Sequence, residues 1–313
     1  MADKEMRAVY AETLTELASK DDRIVVLEAD LMRATGTGPF KEKYPDRAVN
    51  VGVAEANMLS IAGGMSTEGY IPFAATFGCF ATRRAFDQFF LSCAYAGLNV
   101  KLVGTDPGVS AAFNGGTHMP FEDLGLVRMV PGIDIVEPSD PVSLKALVQQ
   151  IAARPNSAYI RLHRKALSPL YPETATFEVG KAKVLRSGTG VTLAALGGLM
   201  VHNAVTAAEL LAADGISAEV IDVLSLKPLD AETILASARK TGLVISIENH
   251  QAHNGLGSAV AELFAEAADR PARLVRMGIQ DQFGEVGTEA WLLEKFGLRA
   301  EDIAAAVKKA LKG

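Results

Sequence analysis

The stretch VNVGVAEANM, residues 49–58, passes from a short β-prone run to an apolar helix, and a carboxylate, Glu55, stands at the junction. A first-turn glutamate is ordinary, because the amino end of a helix dipole favours negative charge. A carboxylate in an apolar surround can also share a proton with a ring nitrogen of a bound heterocycle. Further along, ATFGCF sets Phe77 and Phe80 three residues apart. They suit core packing or a stacking wall for a flat ring. The segment NGGTH closes on His118 after Gly115 and Gly116, which let backbone approach a ligand closely. Arg7 and Arg164 suit solvated surface positions or a phosphate anchor. ENHQAHNGLGSAV, residues 248–260, puts His250 and His253 before a Gly-rich helix start. That pattern fits a helix cap and domain contact, or an anion site. The chain carries no GxxxxGK[ST], no GxSxG and no metal-spaced Cys/His cluster.

These residues need elements to position them. Apolar runs at 23–30, 48–53, 70–77, 99–105, 133–139 and 158–162 read as strands. Helical segments fall between them at 56–69, 79–97 and 140–154, the last opened by Ser139 or Asp140 as a cap with Pro141 in its first turn. Such alternation predicts an α/β fold with a mostly parallel, doubly wound sheet. Ligands of open parallel sheets bind beyond the strands' carboxyl ends. Asp30, Glu55, TFGCF and the long loop from Thr105 to Asp123 each follow a strand end, so all should gather at one edge. Two prolines interrupt the rhythm between 165 and 180. We therefore read residues 1–165 as a first domain, 166–180 as a linker and 181–313 as a second, smaller α/β domain closed by two terminal helices.

Composition narrows the function class. Lys and Arg total 31 against 37 Asp and Glu, which leaves no basic field for nucleic acid. The longest apolar run, VTLAALGGLMV, is too short to span a bilayer, and the charged start MADKEMRAVYAETL has no signal-peptide core. Cys79 and Cys93 lie about 21 Å apart if they share one helix, beyond disulfide reach. A reduced, cytoplasmic protein is expected.

Taken together, GVAEANM, ATFGCFATRRAFDQ and GTDPGVSAAFNGGTHMPFEDLGLVR resemble, in order and spacing, the transketolase family. The resemblance covers its pyrimidine-binding and C-terminal domains and essentially the whole chain, a length that fits the small subunit of a split transketolase. It implies an enzyme moving a two-carbon ketol unit from a ketose or ketose phosphate to an aldose with thiamine diphosphate. Glu55 would bond N1′ of the cofactor's aminopyrimidine and help activate the thiazolium carbon. Phe80 would stack on the pyrimidine, with Phe77 and Arg83 lining the same pocket. His118 would contact donor hydroxyls and take part in catalysis, and Arg164 and Arg7 would face a sugar phosphate.

Several positions depart from the family pattern. Asn114 replaces an aspartate, Thr105 a histidine, Ala34 (before Thr35) a phosphate-binding serine, and Arg83 an aromatic. The substrate end is thus altered more than the cofactor end, and a non-standard sugar or sugar phosphate is expected. No Gly-Asp-Gly occurs in the chain. The diphosphate and its Mg²⁺ or Ca²⁺ are therefore expected on a larger partner subunit, with a homodimer of this chain inside an α2β2 heterotetramer. Competing readings are the β subunit of a 2-oxo-acid dehydrogenase E1, a 1-deoxyxylulose-phosphate-synthase-like enzyme, and a non-catalytic subunit that kept the fold.

Overall fold

The computed structural model describes residues 4–312. Six parallel strands form the first sheet: β1 (Ile24–Glu28), β2 (Ala48–Asn50), β3 (Ile71–Phe77), β4 (Lys101–Thr105), β5 (Asp134–Val136) and β6 (Ala158–Leu162). Their order is β5-β6-β4-β3-β1-β2. Every residue of β1, β3, β4 and β6 is buried, as a sheet covered on both faces requires. One face is covered by the helices Met6–Ala18 and Pro141–Ala153 through Tyr10, Leu14, Leu144 and Leu147. The other is covered by the helix Glu55–Thr67 and the helical run after β3, through Met58, Leu59, Ala81 and Phe89.

The helix expected over 79–97 is broken into tighter and wider turns. Phe80–Arg84 and Phe89–Tyr95 are π-helical, with Phe86–Gln88 α-helical between them. π turns recur near functional sites because they re-aim side chains. The small residues of ANMLSIAGGMSTEG do serve close packing: a Cβ on Gly63 would lie 2.7 Å from the carbonyl oxygen of Ser92. Cys79 and Cys93 are free and buried, and burial pushes their thiols up to about 11 and about 12, so both are inert.

The rest of the chain adds β7 (Lys183–Arg186), β8 (Val191–Leu196), β9 (Ala218–Asp222), β10 (Ser225–Lys227), β11 (Leu243–Gln251) and β12 (Arg273–Ile279). Five of them make a second sheet, ordered β12-β11-β8-β9-β7, parallel except for β7. Helices Gly198–Ala213 and Ala300–Lys312 cover one face, and Ala231–Thr241 and Leu256–Glu266 the other.

The sixth strand, β10, leaves that domain. It pairs antiparallel with β5 and becomes the seventh strand of the first sheet. The break at 166–180 therefore separates chain segments but not sheets. One apolar core runs through both halves, joining Leu124, Val127 and Ile135 to Leu226, Leu256 and Val260. The 166–180 segment has no regular element, yet it is tied down. Asp140 caps the helix Pro141–Ala153 by accepting from the Ser143 amide, and its other oxygen accepts from the amides of Leu170 and Tyr171. Among the described residues no helix is long and apolar enough to cross a membrane.

Candidate active site

β2, β1, β3 and β4 are consecutive parallel neighbours, so the segments that follow them meet at one sheet edge, as expected. Asp30, after β1, is locked to Asn50 at the end of β2 by reciprocal bonds of 3.0 and 3.2 Å. After β2 the chain turns at Gly52, whose φ of +74° suits glycine, and enters the helix at Glu55. Glu55 is 4% exposed. Its Oε1 accepts from Nη1 of Arg84 at 3.0 Å, and among the described residues its Oε2 accepts no hydrogen bond.

The aromatic residues stand beside it. Phe77 ends β3 and Phe80 opens the π-helical turn, with ring centroids 6.0 Å apart. The His118 ring is edge-on to both, 5.2 Å from Phe80 and 6.0 Å from Phe77, within the range of favourable aromatic contacts. The Arg84 guanidinium lies 4.0 Å from the Phe80 centroid. Glu55, Phe77, Phe80 and His118 are thus one cluster, joined through Arg84.

The other expected residues are placed more variously. Arg164 pairs with Asp106 at 2.8 Å and lies 5.4 Å from the Phe77 ring, so it reaches the cluster. Burial raises the Asp106 carboxyl and Arg164 opposes the rise. Thr105, expected against a substrate, is buried and donates to Asp106 at 2.9 Å, which orients the partner of Arg164. Arg83 does not share Arg84's contacts. It pairs with Glu122 at 3.0 Å and donates to the Thr117 carbonyl at 2.8 Å, which holds the His118 loop. Successive helical residues project in different directions, so the two arginines separate. Asn114 is exposed on that loop. Arg7 pairs with Glu5 and donates to the carbonyls of Arg33 and Ala34, which clamps the turn after β1.

The second domain holds the site loops from behind. Asn249 accepts from the Val109 amide at 3.0 Å and donates to the Pro107 carbonyl at 2.8 Å. Arg161, fully buried, pairs with Asp123 at 2.7 Å and Glu137 at 3.1 Å, and donates to the carbonyls of Pro120 and Asn249. Burial pushes Glu137 up to about 7 despite Arg161. His250 accepts from the Gly125 amide through Nε2, while Nδ1 bonds the Gln251 carbonyl. Burial pushes it down to about 4, so it is a neutral domain contact. His253 is exposed. The loop 281–287 touches the site loop directly, since a Cβ on Gly116 would fall 2.2 Å from the Gly284 carbonyl oxygen. Among the described residues no group of three or more His, Cys, Asp or Glu is placed to hold a metal ion.

Sequence reasoning missed Arg84, Asn249, Arg161 and Glu28. Glu28 ends β1, accepts from Thr35 and Thr37 at 2.6 Å each, and is pushed up to about 7 by burial. Its signal was a carboxylate closing an unbroken apolar strand, IVVLE.

Fold and site together define a two-domain α/β protein with a buried carboxylate and an aromatic wall at the carboxyl edge of its first sheet. The chain matches the family described as "Transketolase, pyrimidine binding domain" over residues 2–169 and "Transketolase, C-terminal domain" over 180–303. It belongs to the transketolase family, as the motifs implied. It is 49% identical over 301 residues to the 6-deoxy-6-sulfo-D-fructose transketolase subunit SqwH of Clostridium sp. (strain MSTE9), covering 96% of this chain and 92% of that one. A solved structure described as a split gene transketolase, inactive beta4 tetramer, is 41% identical with a TM-score of 0.89 and 99% of each chain covered. Against transketolase-like protein 2 of Mus musculus the identity is 36%, over 96% of this chain but 48% of that protein. The chain thus corresponds to about half of that relative and to nearly all of the SqwH subunit and of the split gene transketolase chain.

Proposed function

We propose that this chain supplies the pyrimidine-binding half of a thiamine-diphosphate-dependent ketol transferase. The observation that carries the reading is the buried Glu55 carboxylate, held through one oxygen by the arginine that stacks on Phe80, with its second oxygen lacking a partner among the described residues. That set fits an aminopyrimidine, which offers a flat face and a basic ring nitrogen. When bound, thiamine diphosphate supplies the thiazolium carbon that carries the two-carbon unit. Glu55 holds and shares the proton at the pyrimidine N1′. Phe80 offers its face to the ring, and Phe77 and His118 wall the site from water. His118 faces the donor's hydroxyls, and Arg164 its anionic end.

We assign the diphosphate and its Mg²⁺ or Ca²⁺ to a larger partner subunit, in a cytoplasmic α2β2 assembly built on a homodimer of this chain. Residues 1–165 bind the pyrimidine, 166–180 link, and 181–313 brace the site loops. The inactive beta4 tetramer named for one relative supports a need for that partner. The name of the SqwH relative and the altered positions Asn114 and Thr105 support a donor with a sulfonate or otherwise unusual anionic end.

The test is turnover after co-expression with a large transketolase subunit, with cofactor, Mg²⁺ and a panel of ketose phosphates and 6-sulfo ketoses. Activity in the mixture and in neither chain alone is expected. Dye reduction driven by 2-oxo acids, without ketol transfer, would overturn the reading.

A further inference from the structure

We infer that Arg84 is a positioning residue that sets Glu55 and Phe80 for the cofactor's pyrimidine; the inference rests on the function proposed above. Glu55 comes from the helix after β2 and Phe80 from the helical run after β3. The Arg84 side chain touches both, donating to Glu55 Oε1 at 3.0 Å with its guanidinium carbon 4.0 Å from the Phe80 centroid. A guanidinium does both at once because it donates in its plane and stacks through its face. Lysine offers a compact point charge that cannot combine the two contacts.

The arrangement has three consequences. A carboxylate gripped through Oε1 loses freedom to rotate, which leaves Oε2 aimed for one further donor. The cation stacks on the Phe80 ring and so ties that ring's position to the Glu55 carboxylate. Arg84 is 51% exposed while Glu55 is 4% exposed, so the cation reaches the carboxylate from the solvent side without being part of the core. Its removal therefore leaves packing largely intact. The neighbouring Arg83 cannot substitute, being engaged by Glu122 and the Thr117 carbonyl.

The test uses the reconstituted complex with Arg84→Met, Arg84→Lys and Glu55→Gln, reading thiamine diphosphate affinity by calorimetry and kcat separately from the donor's KM. For Arg84→Met we expect assembly and thermal midpoint close to the parent. We expect cofactor affinity to weaken roughly tenfold. The fall in kcat should exceed any change in the donor's KM, because Arg84 acts on the groups that face the cofactor. Arg84→Lys should also leave affinity weak, because an ammonium cannot bond Glu55 and stack on Phe80 at once. Affinity in Arg84→Met equal to the parent with an unmoved kcat would overturn the inference. Tighter binding would also overturn it, because the guanidinium would then occupy the cofactor's own place. Glu55→Gln separates the two claims: if it stays fully active, the reading of Glu55 fails. If it is inactive while Arg84→Met is unchanged, only the Arg84 inference fails.

Discussion

Glu55, Phe80 and His118 are separated by up to 63 positions in the chain, yet their rings and carboxylate form one cluster around Arg84. Each was legible because it broke a local pattern: an acid between apolar segments, a paired aromatic at a strand end, a histidine after two glycines. Arg84 was not legible. Two adjacent arginines look alike in a string, and only the π-helical turn sends one to Glu55 and the other to the loop. The bond from Thr105 to Asp106 was not legible either, since nothing in a string says that a strand-end residue bonds its neighbour. At Gly116 the constraint is steric. A Cβ would meet the backbone of Gly284, which a flexible side chain cannot relieve. Gly116→Ala should displace the His118 loop and lower kcat/KM by roughly a hundredfold, as small misplacements do. Steady-state kinetics checks this, and a urea midpoint near the parent's shows that the fold survived.

The parallel strands of the first sheet were legible because buried parallel strands are continuous apolar runs bounded by turns. Two strands escaped. Residues 183–186 form an edge strand with mixed burial, and 225–227 make a three-residue strand whose partner, β5, lies some ninety residues earlier. Neither carries a periodic signal, because tertiary pairing alone creates them. The cap at Asp140 was legible, but its second duty was not. The same carboxylate closes the helix Pro141–Ala153 and receives two amides of the linking segment. Asp140→Ala should therefore cost more than an ordinary cap, about 3 kcal/mol in chemical denaturation. A loss near 1 kcal/mol would show that the linker contacts add little.

Across the whole molecule, the two-domain division read from the chain understates how the halves are joined. They share a strand, a core and a buried polar network, none of which adjacent residues announce. Arg161 is the centre of that network. Arg161→Met strands the Asp123 and Glu137 carboxylates in the interior and should cost about 3–5 kcal/mol, measured by urea unfolding.

Asp222 makes the junction sensitive to pH. It accepts from Ser139 across the interface and from Tyr171 of the linking segment, and burial pushes it up to about 7. An unfolded aspartate titrates near 3.9. Between those values the native carboxyl keeps a proton that the unfolded chain has lost. Its stabilisation is thus full below about 4 and falls as pH rises to about 7. Asp222→Asn should flatten that fall in urea midpoints taken between about pH 4 and 7.

The most direct test of the function is turnover of Glu55→Gln in the reconstituted complex. Glutamine keeps the side chain's size and its hydrogen-bonding oxygen but cannot share a proton with the pyrimidine nitrogen. If Glu55 does that work, the complex should assemble normally and kcat should fall at least roughly a hundredfold. Turnover equal to the parent's, with the complex intact and cofactor bound, would contradict it.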